Sequence, residues 1–418
     1  MSEIVINGGN RLNGKMSVQG AKNSVLPVLA ATILCEGECI IHNCPALSDV
    51  DSSLKILKTL GCECALEDGT AVVKSSGMTS YEIPDELMRE MRSSVVFLGA
   101  IIGRLGKAVI SSPGGCELGP RPIDLHLSSL ECLGVKITEE HGYLYCSAED
   151  GLRGAEIALG FPSVGATENI ILAASTADGL TVIHNAAKEP EISDLGDFLN
   201  SAGARIYGCG SDTITIHGVK KLHSAEHTII PDRIAAATYM ACAAVTGGKI
   251  TLENVMPPHM VSIFSFFRQC GCNVEMSGKS ITVCAPDRIK RVPTVRSLVY
   301  PGFPTDAGPL AIAALSLAEG TSVFVENIFA NRFRYVDELK RFGAKINTEG
   351  KTAVIEGVGS LSGADCKCTD LRGGAALVVA ALGAQGTAHI GEIQHIKRGY
   401  DDIVGRLRTL NADIVLKQ

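Results

Sequence analysis

Residues 111–126 read SSPGGCELGPRPIDLH, with Cys116 near the centre and Glu117, Arg121, Asp124 and His126 following. Three glycines and three prolines lie from Pro113 to Pro122, a density that neither helix nor strand tolerates. The sequence therefore predicts an exposed loop that presents a thiol. With a pKa of about 8.5, a thiol is mostly protonated at neutral pH and can donate, and beside a cation it can be a nucleophile. His126 offers a base for a Cys–His hydrolase, but it falls at the start of the helix-like segment DLHLSSLECLG. A free cysteine without a chemical role accounts for the same residues. The run GGCELG fits neither GxGxxG nor GxxxxGKS/T, which argues against the nucleotide-binding folds built on those loops.

A second set of candidates stands at helix starts. GAKN (20–23), SVGATEN (163–169), PDR (231–233), TDAG (305–308) and TDLRGG (369–374) each precede an apolar, helix-like run. Their Ser, Thr, Asp and Gly are residues that cap helix N-termini, and capping alone explains any one of them. Several N-termini gathered in one place would instead trap an anion, through free N–H groups and aligned dipoles. Lys22, Arg233 and Arg372, each beside a start, favour the second reading.

The starts recur because the chain repeats. A helix end, a small turn and a strand return six times, as LKTLGCECAL, SLECLGVKIT, FLNSAGARIY, FFRQCGCNVE, ELKRFGAKIN and RLRTLNADIV. The turn residues Gly61, Gly134, Gly203, Gly271, Gly343 and Asn411 are spaced by 73, 69, 68, 72 and 68 residues. Gly and Asn tolerate the left-handed conformation that ends helices. Each copy predicts two helices and three or four strands, too little chain to be stable alone. ENIILAAST and AALVVAALGA are apolar nearly all round, as buried helices are. The expectation is an α/β fold of two globules, each of three units with helices inside and sheets outside, enclosing one cleft.

A length of 418 residues suits two or three domains. Lys+Arg 38 against Asp+Glu 45 gives a net charge of −7, which argues against nucleic-acid binding and a polybasic membrane anchor. The opening MSEIVINGGNRLNG lacks the pattern of a signal peptide, and no apolar run approaches the roughly 20 residues of a membrane span. The expected location is cytoplasmic. Fifteen cysteines then read as thiols, an odd number that forbids complete pairing. Cys62/Cys64, Cys270/Cys272 and Cys366/Cys368 are too closely spaced for a structural zinc site and read as small buried hydrophobes. The cysteines other than Cys116 are expected to be buried. The histidines are dispersed, so neither metal nor cofactor is expected.

GAKN, MRSS with Arg92, PGGCELGPRPIDLH, SVGATEN, AAKEPEI, PDRI, FPTD, ENIFANRF, TDLR and HIKRGY, with the six-unit organisation, resemble one family across almost the whole chain. That family is the UDP-N-acetylglucosamine 1-carboxyvinyltransferases, enolpyruvyl transferases that commit UDP-GlcNAc to bacterial peptidoglycan synthesis. The resemblance implies two similar inside-out α/β domains. One, 22–230, would hold repeats one to three and the Cys loop; the other, 1–21 with 231–418, would hold repeats four to six and the catalytic Asp. It implies phosphoenolpyruvate and UDP-N-acetylglucosamine as substrates, with Cys116 as acid and Asp306 as base. Lys22, Arg121 and Arg398 match the cationic cradle for phosphoenolpyruvate, and Asn23 a group bonded to the reacting centre and the sugar. Arg92, Pro122, Ile123, Asp124, Leu125, Ser163, Val164 and Gly165 match the UDP-sugar site, Asp124 facing the uracil. Ile328 matches a sugar contact, and Asp370 and Arg372 line the same cleft. Oligomeric state is not implied.

The chain departs from many relatives at Ala235, at Ala307-Gly308, at Ala330 and at Phe161. A 5-enolpyruvylshikimate-3-phosphate synthase shares the architecture without relying on a loop cysteine. An RNA 3′-phosphate cyclase shares related repeats but expects a catalytic His. A catalytically silent UDP-GlcNAc-binding paralogue is the reading from outside the enzymes.

Overall fold

The computed structural model describes residues 2–111 and 123–417. They contain six four-stranded sheets, and each sheet follows one plan. In the copy from Glu156–Ala158 to Thr213–His217, the order is strand, helix, strand, helix, strand, strand. The first strand pairs in parallel with Leu180–His184, which pairs antiparallel with Thr213–His217, which pairs antiparallel with Arg205–Tyr207. The other five sheets repeat this one-parallel, two-antiparallel pattern.

Three copies borrow a strand from far along the chain. Asn13–Ser17 supplies the edge strand beside Lys249–Glu253. Glu226–Thr228 supplies the edge strand beside Glu38–His42, and Glu3–Asn7 lies between Thr387–Gly391 and Asp413–Lys417. Contacts accordingly divide the described chain into 2–19 with 231–417, and 20–111 with 123–230. Gly20 and Ala21 thus go with the second unit, because the Ala21 N–H donates to the Ile230 carbonyl at 2.8 Å.

In the first unit, the helices Arg233–Thr246, Gly308–Leu315 and Leu371–Gly383 pack on one another. They are buried almost all round, as their uniform apolarity requires. The second unit places Lys22–Ala31, Phe97–Leu105 and Val164–Ala174 inside in the same manner. Outer helices are amphipathic. Ser48–Thr59 buries Val50, Leu54, Ile56 and Leu57 and exposes Asp51, Lys55 and Lys58. Each unit has its own continuous apolar core. Among the described residues, no helix is long and apolar enough to cross a membrane.

All six repeat turns are left-handed, with φ between 89° and 99° at Gly61, Gly134, Gly203, Gly271 and Gly343, and 69° at Asn411. Asn carries a Cβ that Gly lacks, so it fits this region less well. Asn411→Gly should leave the thermal midpoint unchanged or raise it. Asn411→Val, β-branched and intolerant of positive φ, should lower unfolding free energy by about 1–2 kcal/mol. Urea titration of both variants checks this.

Candidate active site

In the first unit the short turn Thr305–Ala307 carries Asp306. Its carboxylate is gripped from both sides: Arg332 Nη2 donates to Oδ1 at 3.0 Å and Arg372 Nε to Oδ2 at 3.2 Å. Both arginine side chains are almost wholly buried, while Asp306 keeps 27% of its side chain exposed. The residue that opens the following helix is Ala307, which has no capping side chain.

Arg372 is fixed in turn. Its Nη1 donates to the Tyr400 hydroxyl at 3.3 Å, and that hydroxyl meets Thr238 Oγ1 at 2.7 Å. Burial raises the Tyr400 phenol above its ordinary range, so it stays protonated. Burial opposes the charge of Arg372, but Tyr400, Asp306 and Asp232 together hold its pKa above the usual value. Asp370 caps the helix that starts beside Arg372, accepting from the Arg372 and Gly373 N–H groups at 3.1 and 3.0 Å. Asp232 caps Arg233–Thr246 in the same way, accepting from Ile234 and Ala235 at 2.8 and 2.9 Å.

Arg398 follows the helical turn Gln394–Lys397. The segment is anchored by Gln19, whose Nε2 donates to the Gly399 carbonyl at 3.1 Å and whose Oε1 accepts from the Asp401 N–H at 3.1 Å. The Gln19 carbonyl also accepts from the Asp232 N–H at 2.9 Å. Ile328 lies just beyond the strand Thr321–Val325, its N–H bonded to the buried Glu326 carboxylate at 2.8 Å.

In the second unit Lys22 opens the helix Lys22–Ala31, with no side-chain cap before it. Gly20 permits this entry: a Cβ there would lie 1.8 Å from the Asn43 carbonyl oxygen. Lys22 Nζ is 2.8 Å from Asp49 Oδ2, with 12% and 3% of the two side chains exposed. Asn23 is exposed. Ser24 donates to Asp194, which also holds His227 Nε2 at 2.9 Å.

Ser163 caps Val164–Ala174, accepting from the Ala166 N–H at 3.3 Å. A Cβ on Gly165 would lie 2.8 Å from His126 Cε1, so glycine there lets the ring of the neighbouring helix Asp124–Cys132 pack flush. His126 Nδ1 accepts from Asn169 Nδ2 at 2.8 Å. Ile123 and Leu125 pack against the core, and Asp124 is exposed. Cys116, Arg121 and Pro122 lie outside the described residues, as does the Arg92 side chain.

One alternative is set aside and one expectation is corrected. His126 is not placed as a base: burial pushes its pKa down to about 4, and its ring is bonded inside the protein. The remaining cysteines are not all buried either. Cys132 and Cys284 are exposed at the ends of a helix and a strand, and Cys64 and Cys209 are half-buried. At Cys44 and Cys146 burial pushes the thiol up to about 12, which keeps it protonated and inert, whereas at buried Cys39 the hydrogen bond with Cys35 pulls the thiol down.

The departures have local explanations. Ala235 is wholly buried at the Asp232 cap. A Cβ on Gly308 would lie 2.8 Å from Phe324 Cζ, so this glycine and that ring fit each other. Ala330 and Phe161 are exposed. Asp49, Gln19, Tyr400 and Glu326 were not anticipated from sequence; only Asp49, in the first turn of a helix, left a trace there.

The family described as EPSP synthase (3-phosphoshikimate 1-carboxyvinyltransferase) matches the chain over residues 6–407. The chain is 52% identical over 415 residues to "UDP-N-acetylglucosamine 1-carboxyvinyltransferase 2" of Caldanaerobacter subterraneus subsp. tengcongensis, covering 99% of both chains. It is 49% identical to "UDP-N-acetylglucosamine 1-carboxyvinyltransferase 1" of Symbiobacterium thermophilum, covering 98% of this chain and 94% of that one. The solved enolpyruvyl transferase NikO from Streptomyces tendae superposes with a TM-score of 0.88 at 23% identity, covering 100% of this chain and 99% of that one. EPSP synthase from Acinetobacter baumannii does so at 0.73 and 19%, each chain fully covered. These two likenesses establish the fold.

An imidazole whose pKa is depressed on folding refuses a proton that the unfolded chain accepts. Its stabilisation is complete above the unfolded value of 6.5 and is lost as pH falls from there toward 4. His126 should therefore cost about 2 kcal/mol of unfolding free energy between pH 7 and pH 5. His126→Gln, which keeps an acceptor for Asn169, should flatten the profile by that amount in urea titrations at the two pH values.

Proposed function

The chain belongs to the EPSP synthase family and, within it, to the UDP-N-acetylglucosamine 1-carboxyvinyltransferases, and from that premise we propose that it transfers the enolpyruvyl group of phosphoenolpyruvate to the 3-hydroxyl of UDP-N-acetylglucosamine, releasing phosphate. This is the first committed step of peptidoglycan synthesis, and its place is the cytoplasm. The observation that carries the reading furthest is Asp306, a carboxylate fixed at both oxygens by buried arginines yet partly open to solvent.

The chemistry needs a base, an acid and cations. Asp306 takes the proton of the sugar hydroxyl as its oxygen adds to C2 of phosphoenolpyruvate. An ion-paired carboxylate keeps lone pairs to spare, so two guanidinium partners orient it without consuming it. Cys116 gives a proton to C3, forming a tetrahedral ketal. Loss of a C3 proton and of phosphate then leaves the enol ether. Lys22, Arg121 and Arg398 hold the phosphate and carboxylate of phosphoenolpyruvate. Asn23 hydrogen-bonds the reacting centre. Arg92, Pro122, Ile123, Asp124, Leu125, Ser163, Val164, Gly165, Ile328, Asp370 and Arg372 bind or line the nucleotide-sugar site. Cationic side chains do the electrostatic work here, so the reaction calls for no metal or cofactor.

Phosphate release from phosphoenolpyruvate should require UDP-N-acetylglucosamine. Release with shikimate 3-phosphate instead would move the chain to the sister activity, and nucleotide-sugar binding without release would make it a silent paralogue. Cys116→Ala should abolish release, whereas Cys116→Asp, which retains an acid, should keep part of it. Fosfomycin, a small epoxide phosphonate, should alkylate Cys116 ahead of the exposed Cys132 and Cys284, read by peptide mass spectrometry. Lys22→Ala should raise the KM for phosphoenolpyruvate by about 10-fold or more, the scale of one lost charge-assisted contact of about 1.5–3 kcal/mol.

A further inference from the structure

Glu326 has no exposed surface, and a buried carboxylate is tolerated only if donors replace its water. Four do so. Oε1 accepts from Ser297 Oγ and the Ile328 N–H, each at 2.8 Å, and from the Phe329 N–H at 3.1 Å. Oε2 accepts from Thr305 Oγ1 at 2.8 Å. The two oxygens therefore hold different things. One gathers the end of the strand Thr294–Arg296 and the turn after Thr321–Val325; the other reaches the residue immediately before Asp306.

We propose that Glu326 is a positioning residue for the base, acting through Thr305 to fix the turn that carries Asp306. The turn Thr305–Ala307 is short and cannot define a side-chain position by its own backbone bonds. Arg332 holds it from one side, donating to the Thr305 carbonyl at 3.2 Å and to Asp306. Glu326 holds it by the Thr305 hydroxyl. The same carboxylate sets the backbone at Ile328, so the base and the expected sugar contact share one anchor. The inference rests on the reading of Asp306 as base.

The two oxygens also make the proposal testable without removing the side chain. Gln at 326 can keep its amide oxygen toward Ser297, Ile328 and Phe329 and turn its amide nitrogen toward Thr305, whose hydroxyl accepts as well as donates. Thr305→Val is isosteric and removes only that hydroxyl. For phosphate release well below the unfolding temperature, Thr305→Val should lower kcat by about 10-fold or more, the scale on which small misplacements of a reacting group act. Calorimetric binding of UDP-N-acetylglucosamine should change by no more than about threefold, since loss of positioning falls on kcat rather than on ground-state binding. The conservative variants Thr305→Ser and Glu326→Gln, each able to rebuild the bond, should recover about a third or more of kcat.

A Thr305→Val enzyme with a lowered thermal midpoint but unchanged kcat would overturn the proposal, leaving Glu326 a purely structural anchor. So would a Glu326→Gln enzyme as slow as Thr305→Val, which would mean that charge rather than position matters. Asp306→Ala is the separate control. If it kept full activity, the assignment of the base would fail, and the failure would be visible apart from anything at Thr305.

Discussion

An ion-paired carboxylate is useful to catalysis only if its partners cannot move, and Arg332 and Arg372 meet that condition by burial. A guanidinium in the interior must satisfy its donors with protein groups. Arg372 does so with Asp306 and Tyr400, and Tyr400 with Thr238 on a neighbouring inner helix. Asp306 is therefore located by the packing of whole helices rather than by its own loop. Although the buried Nε of Arg332 has no partner among the described residues, the cost of desolvating these charges is offset by their pairing with Asp306. It also explains why such polar side chains lie against an otherwise apolar core: the inner helices begin where the charges are.

That arrangement follows from the repeat. Each copy puts an apolar helix inside and a sheet outside, so the N-termini of inner helices come to one end of the unit with their donors and caps. Asp232 and Asp370 satisfy two of these termini with carboxylates. The borrowed strands Glu3–Asn7 and Glu226–Thr228 complete sheets that their own copies leave one strand short. Closing each unit in this way brings Gln19 to Asp232 in one unit and Ala21 to Ile230 in the other.

Much of this was legible in residue order. Gly61, Gly134, Gly203, Gly271, Gly343 and Asn411 announced six units because a left-handed turn narrows the choice of residue sharply. Uniformly apolar runs announced which helices lie inside. What could not be read was the pairing of charges across long separations. Nothing in TDLR tells that Arg372 meets a carboxylate 66 residues earlier, and nothing in ENIF tells that Glu326 is buried with four donors. Sequence pattern reports periodicity along one element; these contacts join elements whose apposition depends on the whole unit. The same limit applies to Asp306: Asp before a helix has a local meaning as a cap, and the arginines that grip its carboxylate are distant in sequence.

The departures from relatives bear on the same point. Gly308 would be a weak choice in a helix start judged alone, since glycine forfeits helix stability relative to alanine by roughly 1 kcal/mol. In this protein the ring of Phe324 occupies the space a Cβ would take. Phe324 lies in the strand that ends at Val325, next to Glu326, and Gly308 follows the turn that carries Asp306. The pair thus presses the turn that carries Asp306 and the neighbouring strand together through apolar contact, while Glu326 and Thr305 join them through a hydrogen bond. Ala235, by contrast, gives its N–H to Asp232 whatever its side chain is, so the cap does not depend on the side chain there. At Ala235 the backbone, and at Gly308 a complementary ring, performs the positioning.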